Sequence, residues 1–168
     1  RQTATAEILK VISSSPTDTQ PVFDVIARSG LRLFDGLTVA ILLRQESQFV
    51  LAGYSGVGMD DLPEQVRTAP LDQEMNFPSR AILDGEVLHI TDWEGDDVPA
   101  HEKAVAKALN IRSGVMVPLL RKGEGIGAIA VARETAGAFH EKDIALLQSF
   151  ADQAVIAIEN VRLFNETK

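Results

Sequence analysis

The stretch Ile111–Phe139 reads IRSGVMVPLLRKGEGIGAIAVARETAGAF, and the fold turns on how it is parsed. Two apolar runs, Val115–Leu120 and Ile126–Ala132, flank Arg121-Lys122-Gly123-Glu124-Gly125. A charged, glycine-rich turn between two runs of strand length predicts a β-hairpin. Neither run alternates cleanly between apolar and polar residues. A strand with one wet face would alternate, so both faces of this hairpin are expected to be covered. The cover must come from the rest of the chain, with helices on one side and a lid or pocket on the other.

Toward the N-terminus, Thr38–Leu43 and Gln48–Tyr54 are joined by Arg44-Gln45-Glu46-Ser47, which predicts a second hairpin. A helix capped by Asp18 or Thr19, with Pro21 in its first turn, precedes it and runs to about Phe34. Asp35-Gly36 should end it. Val22, Val25, Ile26, Ser29 and Leu33 are its expected inward residues. Thr3–Ser14 reads as a further short helix, striped by Ala4, Ile8 and Val11 and broken at Ser15-Pro16.

A long mixed segment separates the hairpins. Ser55-Gly56-Val57-Gly58 opens a loop, Leu62–Arg67 makes one or two helical turns, and Thr68–Leu71 is a short strand. Ser79–Leu83 is a brief helix with Ser79 as its cap, and Glu86–Ile90 is a strand. Thr91–Pro99 is an acidic loop holding Trp93. Ala100–Leu109 is rich in alanine and lysine, so a helix, and Asn110 stops it.

The last and longest helix is Glu141–Glu166. Ile144, Leu147, Ala151, Ala154, Ile158 and Val161 recur at alternating spacings of three and four, the pattern of a heptad seam. A second stripe, Phe150, Ala157 and Phe164, can face the sheet. Two stripes imply two partners. The heptad stripe is either a wide core-facing stripe or a dimer interface, and periodicity does not choose between them. Two helices, a hairpin, an insert, a hairpin and a helix make an α+β fold.

The 168 residues fit one domain with a single core. A net charge of −8 repels phosphate backbones and anionic lipid, which argues against nucleic-acid and membrane-surface partners. No apolar run reaches the ~18 residues that a membrane span needs. The chain has no cysteine, which removes disulfides, thiolate metal sites and cysteine nucleophiles and fits a reducing compartment. The start does not resemble a signal peptide, and Arg1 in place of methionine suggests a piece of something longer.

Four motifs in order resemble a GAF domain. They are Arg112-Ser113-Gly114-Val115-Met116-Val117-Pro118-Leu119, Gly123-Glu124-Gly125-Ile126-Gly127, Phe139 with Asp143, and the closing run from Leu146 through Ala151, Gln153-Ala154, Ala157-Ile158-Glu159-Asn160. The opening Thr3–Ser13 resembles GAF domains strung in tandem in bacterial sensor histidine kinases and related cyclases. The resemblance implies a central antiparallel sheet of five or six strands, with terminal helices packed on one face and a pocket-capping insert on the other. In those terms 1–168 is a single domain, with a linker-type helix at 1–14, the insert at 55–110 and a signalling helix at 141–168. It also implies a cytoplasmic, non-enzymatic sensory module. Such a module dimerises through terminal helices and relays the state of a small-molecule pocket to a kinase or cyclase output module in the same polypeptide.

Ligand classes of the family can be weighed against the residues present. Cyclic-nucleotide members resemble Asn-Lys, a spacer, then Phe-x-x-x-Asp-Glu. Here Phe139 and Asp143 are followed by Ile144, and the Asn-Lys pair is missing, which weakens that reading. Covalent bilin attachment and methionine-sulfoxide reductase chemistry use cysteines in the family and are excluded. Haem needs a histidine. His101 and His140 read as solvated, and His89 in Val87-Leu88-His89-Ile90 reads as hydrogen-bonded structure that could face a pocket. Asp92, Glu94, Asp96 and Asp97 lack the order of a calcium loop.

The expected ligand-binding set is Phe77, Ser79, Arg80, His89, Trp93, Arg112, Ser113 and Met116, around an uncharged or anionic small molecule of unknown identity. An arginine beside an apolar cavity would grip an anionic group bidentately. The rival expectation is a structural dimerisation spacer whose pocket is filled by its own side chains.

Overall fold

Six strands form one antiparallel sheet in the order β3-β2-β1-β6-β5-β4. The strands are β1 (Thr38–Gln45), β2 (Gln48–Gly56), β3 (Thr68–Pro70), β4 (Leu88–Ile90), β5 (Ser113–Arg121) and β6 (Glu124–Arg133). Five helices accompany them among the described residues: α1 (Gln20–Leu33), α2 (Glu64–Arg67), α3 (Phe77–Asp84), α4 (Ala100–Leu109) and α5 (Glu141–Glu166). The computed structural model describes residues 19–34, 38–56 and 62–166. The helix expected at Thr3–Ser14 and the stop at Asp35-Gly36 lie outside them.

Both hairpins close more tightly than the sequence suggests. Arg121 pairs with Glu124, leaving Lys122 and Gly123 as a two-residue loop with φ of 52° and 81°. Positive φ at both positions fits the twist of the flanking strands, and glycine takes the second without strain. In the first hairpin Gln45 pairs with Gln48 around Glu46-Ser47.

The two sheet faces carry different cores. On one, Val39, Ile41, Val115, Val117, Leu119, Ile129 and Val131 meet α1 and α5. Phe34 at the end of α1 packs edge-on against Phe150 of α5, with ring centroids 6.0 Å apart. On the other, Leu42, Phe49, Tyr54, Met116, Ala128 and Ala132 meet the insert, through Phe77, Ala81, Trp93, Ala106 and Leu109. The period of two along each strand sorts the residues between the faces.

The structure corrects several details. Leu33, expected inward on α1, is exposed, and Phe34 is buried in its stead. Helix α3 starts at Phe77 and is capped by Asn76, whose side chain accepts from Ser79 N at 2.9 Å, so Ser79 is not the cap. The heptad stripe of α5 is largely spent within the domain. Leu147, Ala151 and Ala154 are at most 2% exposed against the protein's own sheet, together with Phe150 and Ala157. Ile144 and Ile158 also pack partly on that core. The residues of the two stripes from Ile144 to Ile158 therefore pack on one wide core-facing surface, with Leu147, Ala151 and Ala154 buried inside the domain.

Gly125 in β6 lies directly under α3. A Cβ built there would sit 1.8 Å from the carbonyl oxygen of Ile82, a backbone atom with nowhere to retreat. Gly125→Ala is expected to destabilise the fold by about 3 kcal/mol through overpacking. Gly123→Ala, with open space around it, should cost only about 1–2 kcal/mol for its left-handed backbone. Urea midpoints of the two variants check the order.

Candidate functional site

A cavity of about 60 Å³ lies between the insert and the sheet. Its floor is Thr38, Ala40 and Leu42 of β1, Ala130 and Ala132 of β6 and Met116 of β5, with Phe49 and Tyr54 from β2. Its roof is Trp93, His101, Glu102, Val105, Leu109 and Ile111, with Val66 and Pro78 at the side. The room arises from side-chain size. Ala40 pairs with Ala130, and Ala130 with Met116, so small residues sit abreast in the middle of the sheet. Their neighbours along the chain, Ile129 and Val131, are large and point the other way.

Glu102 is the buried charge of the site, 3% exposed in the first turn of α4. Oε1 accepts from Trp93 Nε1 and Oε2 from Phe77 N, both at 2.9 Å. These bonds tie α4, the acidic loop and the start of α3 together, and the helix N-terminus favours a carboxylate there. Burial nevertheless pushes the Glu102 carboxyl above the usual range, against the pull of the two hydrogen bonds. Burial likewise pushes the Tyr54 phenol up to about 12. His101 Nδ1 is buried with no hydrogen-bond partner among the described residues. Trp93 lies against Gly114, where a Cβ would come within 2.7 Å of the ring.

Of the eight expected contact residues, only Trp93 and Met116 line the cavity. Phe77 stands behind Trp93, its ring centroid 5.9 Å away. Ser79 is buried and engaged by Asp72 N and Pro70 O. Arg80 donates to Gln73 O and lies over the Phe77 ring. Arg112 lies outside the cavity. Its Nε and Nη2 reach the two Asp92 oxygens at 3.2 and 3.3 Å, with Glu94 at 3.5 Å. The Arg112 hydrogen bond, helped by the Glu94 N–H, holds the Asp92 carboxyl below its ordinary value. Arg112 is thus a clamp on the acidic loop, and the arginine on which an anionic ligand was expected is missing from the cavity wall.

His89 and Ser113 belong to another place, the lead-in to α5. His89 Nε2 accepts from Phe139 N at 3.0 Å, so the neutral ring carries its proton on Nδ1. Ser113 Oγ donates to Thr135 O at 2.6 Å, and Gly137 N to Thr91 O at 2.9 Å. The Arg133 guanidinium lies 3.7 Å from the centre of the Phe139 ring. The segment before α5 is therefore pinned to the insert.

The floor was missed because its signal is alternation of size rather than of polarity. Gly127-Ala128-Ile129-Ala130-Val131-Ala132 reads small and large in turn, which leaves room on one face only. Glu102 and His101 were missed because a charged residue at a helix start reads as solvated.

A sequence model of the GAF domain family matches residues 16–159. The chain belongs to the GAF family. Among solved structures, this GAF domain resembles residues 122 to 287 of a methyl-accepting chemotaxis protein, at 27% identity and a TM-score of 0.76 over 94% of this chain and 98% of that one. It also resembles a free methionine-R-sulfoxide reductase from Neisseria meningitidis in complex with its substrate, at 22% identity and a TM-score of 0.75 over 94% and 87%. A third is the GAF domain of a phosphoenolpyruvate-protein phosphotransferase from Coxiella burnetii, at 11% identity and a TM-score of 0.75 over 99% of each. The second and third show the shared fold alone. No curated protein matches the sequence. Among the described residues no group of three or more His, Cys, Asp or Glu is placed to hold a metal, and no helix is long and apolar enough to cross a membrane.

The raised Glu102 value sets a sign for stability. The fold favours the protonated form, so stability falls as pH rises from the ordinary glutamate range through the raised value. Glu102→Gln should remove that part of the slope. Urea midpoints of wild type and variant from about pH 4 to about pH 8 are expected to lie closest at low pH, where Glu102 is neutral like the amide, and to separate as pH rises and the wild type alone loses stability.

Proposed function

We propose that this GAF domain is a non-enzymatic sensory module of a bacterial signalling protein. It binds a small molecule between sheet and insert and passes the occupancy to a kinase or cyclase output module through α5. The observation that carries this is the cavity, roofed by the insert and floored by residues too small to fill it. A spacer whose pocket is packed shut would put large side chains at Ala40, Ala130 and Ala132. The absence of cysteine supports a binding role over reductase chemistry. At about 60 Å³ the closed cavity takes only a compact ligand, and a tetrapyrrole or nucleotide would have to displace the insert.

Two routes lead from cavity to α5. The first is one strand thick. Met116 and Ala130 line the cavity, while Val115, Val117, Ile129 and Val131 on the same strands grip α5. The second runs through β4, because His89 holds the Phe139 amide two residues before the helix. Arg121 at the hairpin tip also pairs with Glu159 of α5. A ligand acts by its differential affinity for two arrangements of these contacts. Homodimerisation, which belongs to this proposal, would use surface of α5 beyond the buried Leu147, Ala151 and Ala154, where Ile156 is exposed.

Native mass spectrometry of the gently purified domain, compared with its denatured mass, tests the reading. A reproducible extra mass on each folded subunit, lost on denaturation, is expected. A bare dimer that no metabolite mixture stabilises against heat would favour the spacer. In His89→Ala, ligand should still bind, but the amide-exchange protection it confers on the first turns of α5 should fall at least several-fold.

A further inference from the structure

The reading that the cavity holds a ligand leaves its chemistry open, and the wall narrows it. We infer that the cavity is built for a compact organic ammonium, a protonated amine on a short hydrocarbon body, with Glu102 as its counter-ion. This rests on the sensory reading above and deepens it.

The charge comes first. The lining holds a carboxylate, Glu102, and neither lysine nor arginine. No ion pair reaches Glu102 among the described residues, since Arg80 is turned to Gln73 O and the Phe77 ring, and Arg112 to Asp92. A carboxylate offers about four lone-pair positions. Trp93 Nε1 and Phe77 N take two, so acceptor capacity remains. His101 Nδ1, buried and unpartnered among the described residues, adds a nitrogen that can accept when the ring is neutral. An anionic ligand would meet the Glu102 carboxylate with no lysine or arginine in the lining, the attraction of Arg80 and His101 for Glu102 acting without an ion pair.

The walls point the same way. Trp93, Tyr54 and Phe49 all line the cavity, and aromatic faces attract cations, most strongly where water is excluded. The rest of the floor is aliphatic or alanine and suits a hydrocarbon body. Size sets the upper bound. At roughly 10–15 Å³ per water-sized position, about 60 Å³ accommodates about four to six non-hydrogen atoms. That is the scale of a butylammonium ion, and too small for an amine carrying a sugar or nucleobase.

The test uses the 168-residue chain and three probes of similar size: n-butylammonium, butan-1-ol and butyrate, at matched ionic strength. Trp93 is the only tryptophan and lies in the wall, so its emission reports occupancy. Butylammonium is expected to saturate at a concentration at least ~10-fold below that of butan-1-ol, the effect of one charge-assisted hydrogen bond. Butyrate should leave the emission unchanged. Glu102→Gln should bring butylammonium to the level of butan-1-ol, and Ala130→Leu, which fills the floor, should abolish both responses. If Glu102→Gln does not fold, the wild-type ranking and Ala130→Leu decide. Butan-1-ol binding as tightly as butylammonium, or butyrate binding best, would overturn the ammonium inference and leave a ligand cavity standing. No saturable response to any probe, or an unchanged response in Ala130→Leu, would overturn the inference and the cavity's assignment as the ligand site together.

Discussion

The period of two along β1, β5 and β6 is the constraint on which the rest depends. Each strand must present one set of side chains to α1 and α5 and the other set to the insert. The helical side receives Val39, Ile41, Val115, Val117, Leu119, Ile129 and Val131, large side chains that pack on α1 and α5. The insert side receives Ala40, Ala128, Ala130, Ala132 and Met116, and cannot fill the space beneath its own roof. Stability and recognition are thus assigned to opposite faces of the same strands. A one-residue slip in register would exchange them and destroy both.

The roof is held by an apolar cluster and by a few specific polar bonds. Glu102 joins α4 to Trp93 and to the first residue of α3, while Arg112 fastens the acidic loop to the start of β5. One of these fastenings is buried and the other is wet. The wet pair contributes little in salt, and the buried one is strong only while its donors stay in place. The insert therefore combines an apolar cluster with a few specific polar contacts that can be exchanged. That is the physical profile of an element that can open.

What was legible in the sequence follows from which signals are local. The central hairpin, the limits of α4 at Ala100 and Leu109, and the stop at Asn110 with its left-handed backbone are all written in short windows. The placement of Arg112, His89 and Ser113 was not, because it depends on which loop crosses which strand. The heptad stripe of α5 is ambiguous for a related reason. A long helix on a curved sheet wants apolar residues at the same three-four spacing as a helix wrapped on a partner, so Leu147, Ala151 and Ala154 fit both. The alanines of β6 were visible throughout but were read as generic apolar residues, when their small volume was the information.

Trp93 and Gly114 carry a consequence for how such domains can diverge. The indole occupies the space that any side chain at 114 would need, and the carbonyl of Val131 closes the remaining direction at 2.9 Å. Neither position is free to change by itself. A larger residue at 114 evicts the indole, which also releases Glu102 Oε1, and a smaller one at 93 opens a void over a bare backbone. The two sites form a lock and its ward. Lineages that reshape this pocket for a different ligand must pass through paired substitutions, so the tryptophan and the glycine should be kept or lost together.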